Sequence, residues 1–269
     1  MKKGLILCFV MILMMMVACG PAAENDSNIL ETIKKRGKLV VGVKYDTYLF
    51  GYKDPKDQQV KGFEVDLMKE FAKYLLGDEK KVEFKEVTSK TRIKLLDSKD
   101  VDVVAATMTI TEQRKKQIDF TNVYFLAGQS LLVKKGSGIK GLNDLKGKVV
   151  STAKGATSGR NIKNLQPAVR VEEYENYADA LTALKSGKVD AVTTDDSILF
   201  GMEQQNPDLE VVGGQFTKEP YGMGVHKDHK ELTKELNKFL GEIKRNGKYD
   251  QLYRKWFRRE PPKEIPKAN

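Results

Sequence analysis

Cysteine is nearly absent from this chain of 269 residues: there are two, Cys8 and Cys19, and both sit close to the N-terminus. A globular part without further thiols has no disulfide framework and no cysteine nucleophile. Histidine is as scarce, with only His226 and His229. Their H-x-x-H spacing falls within GMGVHKDHK, where a strand leads into a solvated, lysine-rich turn rather than along a helix face that seats a metal. Neither a metal nor a cofactor is therefore expected, and the residues do not read as those of an enzyme. No segment matches the GxxxxGK[ST] phosphate loop. The apolar stretch from Leu5 to Val17 is too short for a comfortable membrane span.

What the chain has in quantity is charge. Charged residues make up 31% and hydrophobic residues 40%, the proportions of an ordinary globular protein. The 47 lysines and arginines outnumber 37 acids for a formal charge of +10. Basic pairs such as Lys80-Lys81, Lys115-Lys116 and Arg258-Arg259 are dispersed among acids, which suits a solvated surface and excludes a nucleic-acid groove. A modest attraction to an anionic membrane or cell wall remains.

The N-terminus reads as a secretory signal. Met1-Lys2-Lys3 is a positive start, Leu5 to Val17 an apolar centre, and Val17-Ala18-Cys19-Gly20 a small-residue end. A cysteine at that place resembles the lipobox of bacterial lipoproteins, with Met16 where leucine is usual. That likeness implies a signal peptide over residues 1–18 and acylation of Cys19, as by palmitate, followed by a tether over residues 19–28. Loss of Lys2 and Lys3 leaves 45 basic residues against 37 acidic ones, or +8. An uncleaved anchor helix is the other reading, and either one puts the globular part outside the cytoplasmic membrane.

Hydrophobic periodicity then alternates strands and helices. Strands are expected at Leu39 to Lys44, Val82 to Val87, Val101 to Ala106, Val149 to Ser151, Val169 to Tyr174 and Val189 to Thr193. Helices are expected at Val65 to Leu76, from Arg92, after Thr157, and over Tyr177 to Ser186 and Asp196 to Met202. Repeated βα units imply open parallel sheets, which bind ligands beyond the carboxyl ends of their strands.

Charged side chains gather at those ends. Thr111 is a natural N-cap, which puts Arg114 in the first turn of a helix, where the macrodipole repels a cation. Either a nearby carboxylate such as Glu112 or Asp119 offsets the repulsion, or Arg114 joins Thr107, Thr109 and free N–H groups in an anion pocket. Arg92 repeats the anomaly after the capping candidates Ser89 and Thr91, and Lys44 ends the first strand. In the second half, TAKGATSG lets backbone N–H groups near Thr157 and Ser158 approach a ligand. Asp195 and Asp196 follow a strand together, one more acid than a cap requires, which leaves one to meet an ammonium.

At this point the chain resembles the family 3 extracellular solute-binding proteins, the polar amino-acid receptors of ABC importers. The likeness runs from about Ile29 to Phe257. It is carried by GKLVVGVKYD, VKGFEVDLMKEFAKYL, KDVDVVAATMTITEQRKKQIDFTNVYF, LNDLKGKVVSTAKGATS, ALKSGKVDAVTTD and YGMGV, in that order. The resemblance implies an α/β fold of the periplasmic-binding-protein-like type II, with two lobes joined by two hinge crossovers and a ligand cleft between them. Lobe 1 would take residues 29–128 and 218–259, lobe 2 residues 129–217, and residues 260–269 an extended Pro-rich tail.

The same resemblance assigns roles. Arg114, with Thr107 and Thr109, would clamp an α-carboxylate; Asp195 would take the α-ammonium; Thr157 and Ser158 would add second-lobe contacts. Lys44, Arg92 and Tyr221 look like the side-chain pocket of aspartate and glutamate receptors, and they would repel a lysine or arginine ligand. The expected ligand is thus L-glutamate or L-aspartate, with glutamine or another polar amino acid as the alternative, ahead of a dehydratase-like enzyme or an adhesin. The expected partners are the membrane permease subunits of an ABC importer and, through the lipid anchor, the membrane, for a protein that is a monomer and binds no nucleic acid.

Overall fold

A computed structural model describes residues 28–262. The expected signal peptide, the lipidated Cys19, the tether up to residue 27 and the tail from residue 263 lie outside the described residues. Among the described residues no helix is long and apolar enough to cross a membrane.

The chain folds around two five-stranded sheets. In the first, Leu39–Val43 lies between Val82–Glu86 and Val103–Val104, parallel to both. Gly224–Val225 then pairs antiparallel with Val103–Val104 and with Asp119–Phe120. Every residue of Leu39–Val43 is buried, as a strand covered by helices on both faces requires. In the second sheet Val149–Ala153 runs parallel to Arg170–Tyr174 and Ala191–Asp195, and Gln129–Lys134 pairs antiparallel with Ala191–Asp195 and Leu209–Val212. The two lobes of the expected α/β architecture are these two sheets with their helices.

The chain passes between the lobes twice, and its two passages pair with each other. Phe125–Ala127 and Glu219–Tyr221 form an antiparallel ladder of their own. Tyr221 is wholly buried there, stacked on Phe125 at 5.6 Å between ring centroids and edge-on to Phe50 at 5.9 Å. Burying an aromatic ring stabilises by roughly 1.5–3 kcal/mol, so this cluster anchors the crossing strands to the first lobe's core. The helix Phe63–Leu76 covers that core with Phe63, Leu67, Met68 and Phe71, an apolar stripe at helical spacing.

The strand expected over Val101 to Ala106 is paired in the sheet ladder only at Val103–Val104. Its neighbours are tied to the first strand by single bonds, Asp102 N–H to Val40 and Ala105 N–H to Gly42. This strand therefore delivers the segment 105–109 straight to the edge facing the second lobe.

Candidate functional site

Arg114 stands where the capping argument puts it. The helix Glu112–Lys115 is capped by Thr111, whose side chain accepts from the Arg114 N–H at 3.2 Å. Glu112 pairs with Lys115 and not with Arg114. The Arg114 guanidinium is 8% exposed and turns inward to carbonyls, Nη1 to Thr109 at 2.7 Å and Nη2 to Gly155 at 2.9 Å. The first carbonyl is in its own lobe and the second belongs to the other. Desolvation, reinforced by Arg92, lowers the Arg114 pKa to about 9.

Thr107 and Thr109 are both buried in the turn before that helix. Thr109 bridges to Tyr221 of the hinge, and Ile110 N–H reaches Pro220 at 2.8 Å, so the turn is fastened to the crossing strand. Thr107 has φ 46°, in the left-handed region that a β-branched residue seldom enters. Its N–H is taken by Glu64 at 2.6 Å. Glu64 also accepts from the Tyr124 hydroxyl, and burial raises its pKa to about 7.

Arg92 opens the helix Arg92–Asp97 and is 2% exposed. Thr91 occupies the cap position without capping: its hydroxyl accepts from Thr88 N–H. The other capping candidate, Ser89, accepts from the Lys44 ammonium at 3.0 Å. Arg92 spends Nη1 on the carbonyls of Ala106 at 2.6 Å and Thr107 at 3.3 Å. Lys44 lies buried over the ring of Tyr177, 4.4 Å from its centroid, and desolvation lowers its pKa to about 8.

The second lobe brings Asp195 to the same place. It ends the strand Ala191–Asp195, is 4% exposed, and accepts from the Tyr221 hydroxyl at 2.5 Å through Oδ2. Oδ1 is buried and accepts no hydrogen bond among the described residues. Burial, with Glu219 as the next cause, raises its pKa to about 7. Asp196 does the backbone work instead, accepting from Ser197 N–H at 2.7 Å. Tyr221 thus sits with Asp195 and not with Lys44 and Arg92, beside which it was expected.

Thr157 and Ser158 are buried at the start of the helix Ser158–Leu165. The Thr157 hydroxyl donates to Glu219 of the hinge at 3.1 Å, and Ser158 donates to Thr194 at 3.4 Å. Glu219 also holds Asn161 at 2.9 Å and Thr217 at 2.9 Å. The sequence reading missed Glu64, Tyr177 and Glu219. Glu64 had a visible signal, because it heads the buried stripe Leu67, Met68 and Phe71 at spacings where an acid is out of place.

The lobes are shut on one another. Tyr177 N–H reaches Asp46 across the cleft at 2.8 Å, Lys90 pairs with Glu175 at 3.0 Å, and Arg160 reaches Gln113 at 3.0 Å. A cavity of about 650 Å³ opens beside Arg114 and Thr157, with Ser89, Lys90 and Arg160 in its wall. Lys44, Arg92 and Asp195 are buried and do not line it. A Cβ on Gly155 would stand 2.6 Å from the Ser89 carbonyl of the opposite lobe. Gly155→Ala is therefore expected to push the shut lobes apart, so that small-angle scattering of the amino-acid-saturated variant reads a larger radius of gyration than that of the unsubstituted protein saturated alike. An unchanged profile would show that this contact does not limit closure.

Chemically, the site is built to hold charge of both signs away from water. Arginine offers a fork for a carboxylate, and the carboxylate opposite has a free oxygen for an ammonium. Charge-assisted hydrogen bonds contribute roughly 1.5–3 kcal/mol each, so four or five exceed the ~8 kcal/mol of a micromolar complex after closure costs.

Residues 39–259 match the family model described as bacterial extracellular solute-binding proteins, family 3. The ABC transporter glutamine-binding protein GlnH of Bacillus subtilis (strain 168) is 49% identical over 271 residues, covering 97% of this chain and 99% of that protein. The glutamine-binding protein of Geobacillus stearothermophilus is 56% identical over 211 residues, 78% of this chain and 80% of its own length. Among solved structures, an ancestral arginine-binding protein bound to glutamine is 46% identical with a TM-score of 0.78, covering 82% of this chain and 98% of that one.

Proposed function

The chain belongs to the bacterial extracellular solute-binding proteins of family 3, and from that membership we propose that it is an L-glutamine receptor that hands its ligand to the permease of an ABC importer. The observation that carries amino-acid binding is the pairing, across one shut cleft, of a buried arginine and a buried carboxylate with a free oxygen, Arg114 and Asp195. Arg114 takes the α-carboxylate, with a hydroxyl of the Thr107 to Thr109 turn and with Thr157 and Ser158 from the second lobe. Asp195 takes the α-ammonium.

Glutamine, the alternative named above, fits the side-chain end better than the acid first expected. The relatives at 49% and 56% identity both carry glutamine in their names. The local charges also support an amide. Lys44 is held by Ser89 and the Tyr177 ring, and Glu64 lies buried close enough to influence both Lys44 and Arg92. A neutral amide can accept from such cations without bringing a further charge to desolvate. The excess of Lys44 and Arg92 over Glu64 is what favours glutamate or aspartate as the second reading. The lipid anchor at Cys19, with the extracytoplasmic tether that follows, completes the proposal.

Isothermal calorimetry against the common amino acids tests it. Glutamine is expected to bind tightest, with glutamate at least ~10-fold weaker, which corresponds to ~1.4 kcal/mol. Tighter binding of glutamate would restore the acidic ligand, and a preference for arginine would overturn both.

A further inference from the structure

We propose that Glu64 is a positioning residue of the ligand site: with Arg92 it grips one peptide group, Ala106–Thr107, and so holds Thr107 in the left-handed conformation from which the carboxylate-binding turn is built. The proposal rests on the reading that this turn and Arg114 receive the α-carboxylate.

The Ala106 carbonyl and the Thr107 N–H belong to the same peptide unit. Arg92 Nη1 donates to that carbonyl at 2.6 Å, and Glu64 Oε1 accepts from that N–H at 2.6 Å. A cation therefore faces the negative end of the peptide dipole and an anion its positive end. Both bonds are charge-assisted, and both side chains are buried, at 0% and 2% exposure, where water does not compete.

Such a grip is needed because of what the turn demands. Thr107 has φ 46°, a conformation that glycine adopts freely and a β-branched residue resists. The turn Ala105-Ala106-Thr107-Met108-Thr109 contains no glycine. The conformation must be imposed from outside, and Glu64 and Arg92 are placed to impose it. Glu64 is itself braced by the Tyr124 hydroxyl, and the Tyr124 carbonyl accepts from Tyr249 at 2.6 Å, which ties the grip to the first lobe's core. On the other side, the Thr109 carbonyl holds Arg114 Nη1. A relaxed Thr107 would redirect that carbonyl and, with it, the guanidinium.

A double-mutant cycle read by glutamine affinity tests the idea. Glu64→Ala is expected to weaken binding by at least ~30-fold, since a buried donor loses its partner and the turn relaxes. In a Thr107→Gly background the same change is expected to cost less than ~3-fold, because glycine takes positive φ unaided. Equal losses in the two backgrounds, or no loss in either, overturn the proposal. A Glu64 that merely stabilised the lobe would lower the melting temperature and leave the cycle additive. If the alanine variant does not fold, Glu64→Gln keeps a carbonyl acceptor without the charge. It is expected to lose ~3- to 10-fold, again only beside Thr107; unchanged affinity, or a loss that persists beside glycine, overturns the proposal equally. Absence of amino-acid binding by the unsubstituted protein would instead overturn the ligand reading, and this inference with it.

Discussion

Arg114→Ala is expected to lose at least ~100-fold in affinity for every amino acid the protein binds, whatever the side chain. Truncating one partner of a buried, hydrogen-bonded charge pair costs about 2–5 kcal/mol, much of it from the charge left without a partner. On the proposed reading that charge is the ligand's α-carboxylate, which all candidate ligands share. Arg114→Lys should recover little, because an ammonium lacks the planar fork that now reaches Thr109 and Gly155 together. Calorimetry with glutamine and glutamate in parallel, beside a melting curve to confirm folding, gives the answer. A loss confined to one of the two ligands would move Arg114 from the shared end of the site to the side-chain end.

The second large effect is one of pH. Asp195 has its pKa raised to about 7, by burial first and then by Glu219, with Tyr221, Asp196 and Arg114 also facing it. Only the ionised carboxylate attracts an ammonium. Affinity should therefore fall roughly tenfold per pH unit below 7, where a proton must leave before the ligand can bind, and level off above it. Asp195→Asn should bind weakly with a flat profile over the same range. A wild-type affinity unchanged between pH 5.5 and 7.5 would remove Asp195 from the ammonium contact.

Stability of the ligand-free protein should move the other way. Asp195 and Glu64 keep their protons to higher pH folded than unfolded, since both folded values are raised to about 7. The folded state thus binds more protons than the unfolded state between the ordinary carboxylate range and pH 7, and its stability falls as pH rises through that window. Lys44, lowered to about 8, loses its proton first in the folded state, so stability rises again from pH 8 upwards. The melting temperature of the ligand-free protein is expected to dip between pH 7 and 8, and saturating glutamine to fill the dip.

How much of this was legible in the sequence follows from what each residue contradicts locally. Arg114 was legible because a cation in a first helical turn opposes the macrodipole, and Asp195 because two adjacent acids exceed one cap. Glu64 obeys the local rule, since an acid in the first turn is what a helix favours, and only its position at the head of an apolar stripe betrays it. Glu219 reads as one more surface charge, and its burial depends on Thr157 and Asn161 arriving from the other lobe. Tyr177 disappears into an amphipathic pattern. The acidic-ligand expectation counts the cations Lys44 and Arg92, and that count leaves out Glu64, which shares the space. The six expected strands start within two residues of observed ones, whereas Gln129–Lys134 and Leu209–Val212 of the second sheet were not read from the sequence. Ladder pairing at Val103–Val104 is shorter than the apolar run suggests, because its ends bond singly to the neighbouring strand.

The bond from Arg114 to the Gly155 carbonyl joins the lobes through the guanidinium proposed to hold the α-carboxylate. One side chain would then serve both the ligand and the meeting of the lobes, so a substitution at residue 114 should alter how firmly the cleft shuts as well as how tightly an amino acid is held.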